Sequence, residues 1–258
     1  HRDLHSFPTR RSSDLRIDLA AAHRLAVLHE LEEGIDNHFT VTVPGYEDRY
    51  LILPFGLHWS EARASDLIVF DESGQTLEGT GYVELSAHCI HTPIHRTTGA
   101  RVVMHTHQTW ALALNMLEDN RLIPASQTAV FFCDRIAYDD DYAGAADSLV
   151  EGERLADLMG DHDVVFMKNH GVLVVGETVA QAYKRLHRLE RVCRNQVLAM
   201  PTQRELAPIP AGVIKQLTPP LPHDRSSPAE RDRLYLAAIM RSAERRVWKE
   251  CRSRWSPY

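Results

Sequence analysis

The side chains that could do chemistry gather in two short strings. His105-Thr106-His107 follows the run Arg101-Val102-Val103-Met104, and Lys168-Asn169-His170-Gly171 closes another apolar run that begins at residue 163. On a strand, residues i and i+2 share a face, so the imidazoles of His105 and His107 can point into one cleft. His170 stands at a strand end before Gly171, where a loop can bring its ring into the same cleft without steric cost. Three neutral imidazoles with one open position are the usual way to hold a catalytic Zn2+. Mn2+ or another divalent cation is an alternative for the same ligands. Such an ion polarises a carbonyl or stabilises an enolate without needing a proton. The chain has 15 histidines, so pairs at i+2 also arise by chance, and packing histidines are the bland alternative. The flanking residues weigh against it.

IHTPIHRTTGARVVMHTHQTWALAL at 90–114 and KNHGVLVVGETVAQAYKRLHRLERVCRNQVLA at 168–199 resemble the class II aldolase/adducin family, and the likeness covers about residues 17–200. In that family the metal histidines are the HxH pair and the histidine of NHG, which carry over onto His105, His107 and His170. The resemblance implies an α/β fold, a single three-layer α/β/α domain around a central, mainly antiparallel sheet. It also implies a homo-oligomer, with a tetramer expected and active sites at subunit interfaces. The activity implied is that of a metal-dependent lyase acting next to a carbonyl. Aldol cleavage, decarboxylation or epimerisation through an enediolate would all use the same site on a small hydroxy-carbonyl compound.

Departures from the family pattern matter as much as matches. Its sugar-phosphate aldolases carry a Glu ahead of HxH that ligates the metal and acts as acid/base. Here that place falls on Ala87. Glu84, three residues earlier, is the candidate catalytic substitute, against the alternative of a surface carboxylate. The phosphate-binding loops correspond to Asn37-His38-Phe39-Thr40-Val41-Thr42 and to Phe55-Gly56, and Ser86 retains one of two serines beside Leu85. Asn37, His38, Gly56 and Ser86 are therefore the candidate substrate-binding positions. Phosphate recognition wants free backbone N–H groups and small side chains, so Phe55 and Leu85 count against a phosphorylated substrate. The pattern resembles the adducin-like branch, and a non-catalytic adducin-like binding or scaffold module is the alternative function. A metal hydrolase ranks third, because HTHQTW lacks the Asp of the common dinuclear sites.

Other residues carry weaker expectations. His91 and His95 are four apart with Pro93 between them, and suit structural or ligand-orienting roles. His58, His162 and His187 read as surface or packing residues, and Trp59 and Trp110 as packing anchors. Asp139-Asp140-Asp141 reads as a solvated loop. Gln127 would approach the cleft if a strand at 129–132 lay beside the HxH strand.

The elements that must position these groups follow from periodicity. Residues 17–33 read as an amphipathic helix stopped by Gly34. Strands are expected at 39–43 and 49–53 as a pair, then at 67–70, 100–105, 129–132, 163–168 and 172–176. A short helical turn is expected at 60–66, and helices at 86–96, 110–117, 147–159 and 178–200. Ser148/Glu151 and Thr178/Gln181 stand at capping-box spacing. From residue 201 to residue 222, six prolines describe an extended tail.

Residues 1–15 and 241–258 are Arg/Ser-rich, lack apolar periodicity and resemble translated sequencing-adapter read-through. Domain boundaries are accordingly expected at 16–222 for the aldolase-like domain and 223–240 for a tail. The two ends carry net charges of +1 and +4, which leaves −11 for residues 16–240 against −6 for the whole chain. That acidity argues against a nucleic-acid partner, and no apolar run is long enough to span a membrane. A small-molecule substrate is expected instead. Four scattered cysteines without a CxxC pair fit a reducing cytoplasm.

Overall fold

The computed structural model describes residues 12–142, 144, 146–217 and 227–253. The chain begins with α1 (Ser12–Leu28), followed by β1 (His38–Thr42), β2 (Arg49–Ile52), β3 (Ile68–Asp71) and β4 (Thr76–Glu78). Next come α2 (Leu85–Thr98), β5 (Val102–Thr106), α3 (Thr109–Asn115), β6 (Ile136–Asp139) and α4 (Leu149–Met159). β7 (Val164–Met167), β8 (Gly171–Gly176), α5 (Val179–Ala199), α6 (Ala211–Leu217) and α7 (Pro228–Ser253) complete it. The strands form one sheet in the order β4-β3-β2-β1-β5-β8-β7-β6. Among the described residues only β6 and β7 pair in parallel. The apolar faces of α1, α3 and α5 bury one side of the sheet, and α2 and α4 bury the other. The fold is thus the expected three-layer α/β/α domain with a mainly antiparallel sheet. Among the described residues, no helix is long and apolar enough to cross a membrane.

Strand alternation sorts the chemistry onto one face. In β1, Phe39 and Val41 join the core under α1 and α5, as do Val102 and Met104 of β5. The intervening residues, among them His38, Thr40, Val103 and His105, therefore face α2 and α4. Register completes the placement, because His38 lies directly opposite His105 in the β1–β5 pair.

The α2–α4 layer depends on one close approach. Pro93 sits inside α2 and has no N–H to give the carbonyl of Cys89. Gly152 of α4 comes against that same carbonyl, so closely that a Cβ on Gly152 would lie 1.8 Å from the Cys89 oxygen and 3.0 Å from Pro93 Cγ. Ile90 and Ile94 then pack with Leu155, Ala156 and Met159.

The structure corrects several expectations. Residues 129–132 form a 3-10 turn, not a strand, since a four-residue apolar run is ambiguous by periodicity. Gln127 is exposed and gains no place in the cleft. Tyr138 and Asp139 belong to β6, and Asp139 is buried with its two oxygens 2.8 and 2.6 Å from Arg154. Only the rest of the acidic run is solvated. The chain after residue 201 is not wholly extended: it forms α6 and α7, and Leu236 of α7 joins the main core. α1 runs across residue 15, with Leu15 buried. Residues 1–11 and 254–258 of the terminal segments, and 218–226 around the expected start of the tail, lie outside the described residues.

One contact ties the loop after HxH to the helical layer. Glu190 of α5 accepts the backbone N–H groups of Trp110 and Ala111 at 2.8 and 3.0 Å. They are in the first turn of α3 and would otherwise lack partners. Burial pushes the Glu190 carboxyl up to about 7, although both N–H bonds and Arg194 pull the other way.

These two contacts can be tested by substitution. Gly152→Ala forces α2 and α4 apart and should cost about 1–3 kcal/mol, which is roughly 2–12 °C in Tm for a domain of this size. Gly212→Ala in α6, where nothing lies within 4 Å, should not lower Tm; equal losses at both sites would refute the close-approach account. Glu190 has a folded pKa above its ordinary 4.5. Its contribution is therefore fully present below about 4.5 and is lost as pH rises towards 7. Denaturant titrations should show Glu190→Gln gaining on the wild type between pH 5 and 7, and parallel curves would count against the shift.

Candidate metal centre

His105 leaves the end of β5, His107 the loop beyond it, and His170 the turn between β7 and β8. One nitrogen from each ring can be chosen so that all three lie within 4.8 Å of one another. The three pairs of ring centroids are each 4.9 Å apart, and the Nε2 atoms of His105 and His107 are 3.1 Å apart. The HxH and NHG strings therefore meet in one cluster.

Each ring is oriented by something further out. His105 Nδ1 donates to the carbonyl of Val172 at 3.1 Å, which leaves Nε2 as the ligand atom. His107 Nδ1 lies 2.6 Å from Glu33 Oε2, a carboxylate–imidazole pair of the kind that fixes a metal ligand's tautomer. His170 depends on its turn. Asn169 takes a left-handed φ of 59°, and Asn115 Nδ2 donates to the carbonyls of Met167 and Gly171 at 2.6 and 2.8 Å. Asn115 is fully buried and its own carbonyl oxygen accepts from Asn120. Gly171 is needed for space, not for loop freedom: a Cβ there would meet the Thr106 carbonyl at 2.5 Å and the His107 ring at 2.9 Å.

Burial keeps the His105 and His170 rings in the neutral form that binds a metal. It holds His105 well below the ordinary range. Burial and the adjacent His107 hold His170 down at about 4. Three imidazole nitrogens with fixed outer partners form a donor set that fits a divalent ion of the zinc type.

The candidate substrate positions also come together. Asn37, His38, Gly56 and Glu84 line one small cavity of about 20 Å³, with Ala87 in its wall. That is room for about one water molecule. Ser86 joins this group through His38 Nε2, 3.2 Å away, and through its hydroxyl, which donates to Glu84 Oε2. Asn37 Oδ1 accepts from the backbone N–H groups of Glu33 and His107, while its buried Nδ2 has no partner. Glu84 caps α2 by accepting from Ala87 N at 2.9 Å. Burial alone would raise its carboxyl. Hydrogen bonds from Ser86 and Ala87 outweigh that and hold it below the usual range. Glu84 is thus neither a free surface carboxylate nor on the body of the helix; it is an N-cap turned into the cavity that Ala87 lines.

Glu33 and Asn115 are not legible in the sequence as part of the site. Glu33 sits in an ordinary charged loop 74 residues before its partner, and Asn115 in an apolar helix; neither has a local signal. His91 and His95 are not in the three-histidine cluster and bond to β1 instead. A larger cavity, about 850 Å³, opens at the opposite end of β1 beside Thr42 and Arg101.

Known proteins share this fold. A structure of an aldolase II superfamily protein from Pseudomonas syringae is 33% identical, covers 92% of this chain and 94% of its own, and superposes with a TM-score of 0.83. L-fuculose 1-phosphate aldolase from Glaciozyma antarctica, 23% identical, shares the fold with a TM-score of 0.80 over 96% of both chains. Decarboxylase NovR of Streptomyces niveus is 31% identical over 191 residues, 71% of this chain and 70% of its own. The sequence model of the family described as class II aldolase and adducin N-terminal domain matches residues 17–197. This chain belongs to that family.

Proposed function

We propose that the protein is a metal-dependent lyase that cleaves or forms a bond next to the carbonyl of a small, unphosphorylated hydroxy-carbonyl compound. The observation that carries this reading is the convergence of His105, His107 and His170 beside a cavity lined by the Glu84 carboxylate and the unpaired amide donor of Asn37, with Ser86 bonded to Glu84. A pure scaffold has no need of such a set. Zn2+ is the preferred ion and Mn2+ the alternative; when bound it supplies the Lewis acid that polarises the substrate carbonyl.

The chain's own residues do the rest. Asn37 Nδ2 offers a hydrogen bond to a substrate oxygen. Glu84 is the acid/base, in place of the carboxylate absent at Ala87, and Ser86 orients it. Gly56 leaves backbone accessible at the cavity rim. Phe55, which packs against Tyr82 at 5.8 Å, and Leu85 replace small residues and disfavour a phosphate. Aldol cleavage and decarboxylation need the same placement, and similarity to a named decarboxylase keeps both open. One observation favours a non-catalytic module, namely Ala87 in the place of the family carboxylate.

A homotetramer in the cytoplasm belongs to the same proposal. The support for assembly is the exposed apolar side chains Tyr82 and Leu85 flanking Glu84, with Leu149 and Val150 at the start of the packed helix α4.

Isothermal titration should find one Zn2+ per chain in the wild type and none in His170→Ala. Glu33→Gln should weaken binding by about 10–100-fold without abolishing it. Equal affinity in His170→Ala would overturn the metal site. A screen of retro-aldol and decarboxylase substrates should then detect turnover in the zinc-loaded protein. Glu84→Gln should lower kcat by about 10²–10⁴-fold with zinc affinity retained. A protein that binds zinc stoichiometrically yet turns over no hydroxy-keto acid or β-hydroxy-ketone would favour the scaffold module.

A further inference from the structure

Between β1 and α2 runs a buried chain of polar groups that the metal centre does not use. At its far end His95 Nδ1 lies 2.6 Å from the carbonyl of Ala100, and its Nε2 lies 2.8 Å from Thr40 Oγ1. Thr40 Oγ1 is 2.6 Å from His91 Nδ1, and His91 Nε2 is 2.7 Å from His38 Nδ1. The chain ends at His38 Nε2, beside Ser86. His91 and Thr40 are wholly buried, and His38 and His95 are each 5% exposed. Charged rings in such a layer would be desolvated, and Glu84 at its end already accepts from Ser86 and the Ala87 N–H, so each histidine is neutral and carries a single N–H. Burial accordingly holds His95 down at about 4.

Three neutral rings and two hydroxyls supply five protons for the six links from the Ala100 carbonyl to Glu84, so one link holds none. His38–Ser86, the longest at 3.2 Å, is that link, and the rest of the chain then has one arrangement. A carbonyl can only accept, so the His95 hydrogen is on Nδ1 and its Nε2 is bare. A bare nitrogen accepts, so the Thr40 hydroxyl donates to it. With its one proton committed, the Thr40 oxygen accepts from His91, whose hydrogen is therefore on Nδ1. His91 Nε2 is then bare and accepts from His38 Nδ1–H.

We infer that the Ala100 carbonyl, acting through His95, Thr40 and His91, fixes the tautomer of His38 so that its Nε2 lone pair points to the cavity wall beside Ser86 and Glu84. Free histidine prefers the opposite tautomer, with the hydrogen on Nε2. His95, Thr40 and His91 are thus positioning residues for His38. Ser86 gives its hydroxyl proton to Glu84, so the His38 lone pair is open to a donor from outside. The consequence is a preference for chemistry: a substrate hydroxyl can bind here, while a phosphate or carboxylate oxygen has no hydrogen to offer. That consequence rests on the cavity being the substrate site; the tautomer itself does not.

Long-range 1H–15N correlation spectra of 15N-histidine-labelled, metal-free protein read the tautomers directly. His38, His91 and His95 should all show the Nδ1–H coupling pattern. A wild-type His38 with its hydrogen on Nε2 overturns the inference. In Thr40→Val the relay is cut, so His38 should shift towards Nε2–H while His95 stays Nδ1–H and the His105 pattern is unchanged. Thr40→Ser should restore the wild-type pattern, which a merely structural role for the methyl group would not. His95→Phe removes the anchor at the other end and should release His38 likewise. A His38 tautomer unmoved in either folded variant refutes the relay. Because no metal or turnover enters these spectra, they can fail while zinc binding and activity succeed, and the reverse.

Discussion

The antiparallel pairing of β5 with β8 is the constraint on which the site depends. It aligns His105 with Leu173 and Thr106 with Val172, which brings the turn bearing His170 over the end of β5. The same pairing supplies the Val172 carbonyl that turns the His105 ring. It also forces Gly171 against the Thr106 carbonyl and the His107 ring, where any side chain would collide. A one-residue slip in this register would reverse the face of every β8 side chain and separate the histidines. The buried runs Val102–Met104 and Val172–Val175 make such a slip costly.

Next to this pair, β1 contributes a layer that is polar where a core is usually apolar. His38 and Thr40 of β1 meet His91 and His95 of α2, flanked by one apolar cluster around Val103 and another around Tyr50 and Phe70. Buried polar groups are tolerable only when satisfied, and every ring in this layer has a partner on at least one nitrogen. His95 also lies flat on Tyr50, with centroids 4.7 Å apart, which limits its rotation. Apolar packing on both sides and hydrogen bonds within thus hold His38 opposite His105 in one orientation. Orientation is what a binding site needs from its surroundings.

The helical layers act on the same few loops. α5 anchors the start of α3 through Glu190, and so fixes the chain directly after His107. Asn115 at the other end of α3 clamps the turn that carries His170. One short helix therefore connects the two loops that carry the candidate metal ligands, which explains why both of its ends carry buried polar contacts.

Much of this arrangement is legible in the sequence. The strands His38–Thr42 and Arg49–Ile52, the long helix Val179–Ala199 with its Thr178 cap, and the His105/His107 pair all have local signatures: alternation, a 3.6-residue stripe, and a spacing of two. The family blocks at 90–114 and 168–199 imply the layer architecture. Contacts made across the fold are another matter. Whether residues 129–132 form strand or turn depends on their neighbours, because four apolar residues suit either. The partnership of Glu33 with His107, the Pro93–Gly152 approach and the direction of the His95–Thr40–His91–His38 chain join residues tens of positions apart. Only tertiary packing brings such residues within hydrogen-bonding or van der Waals range, and no periodicity along the chain records it.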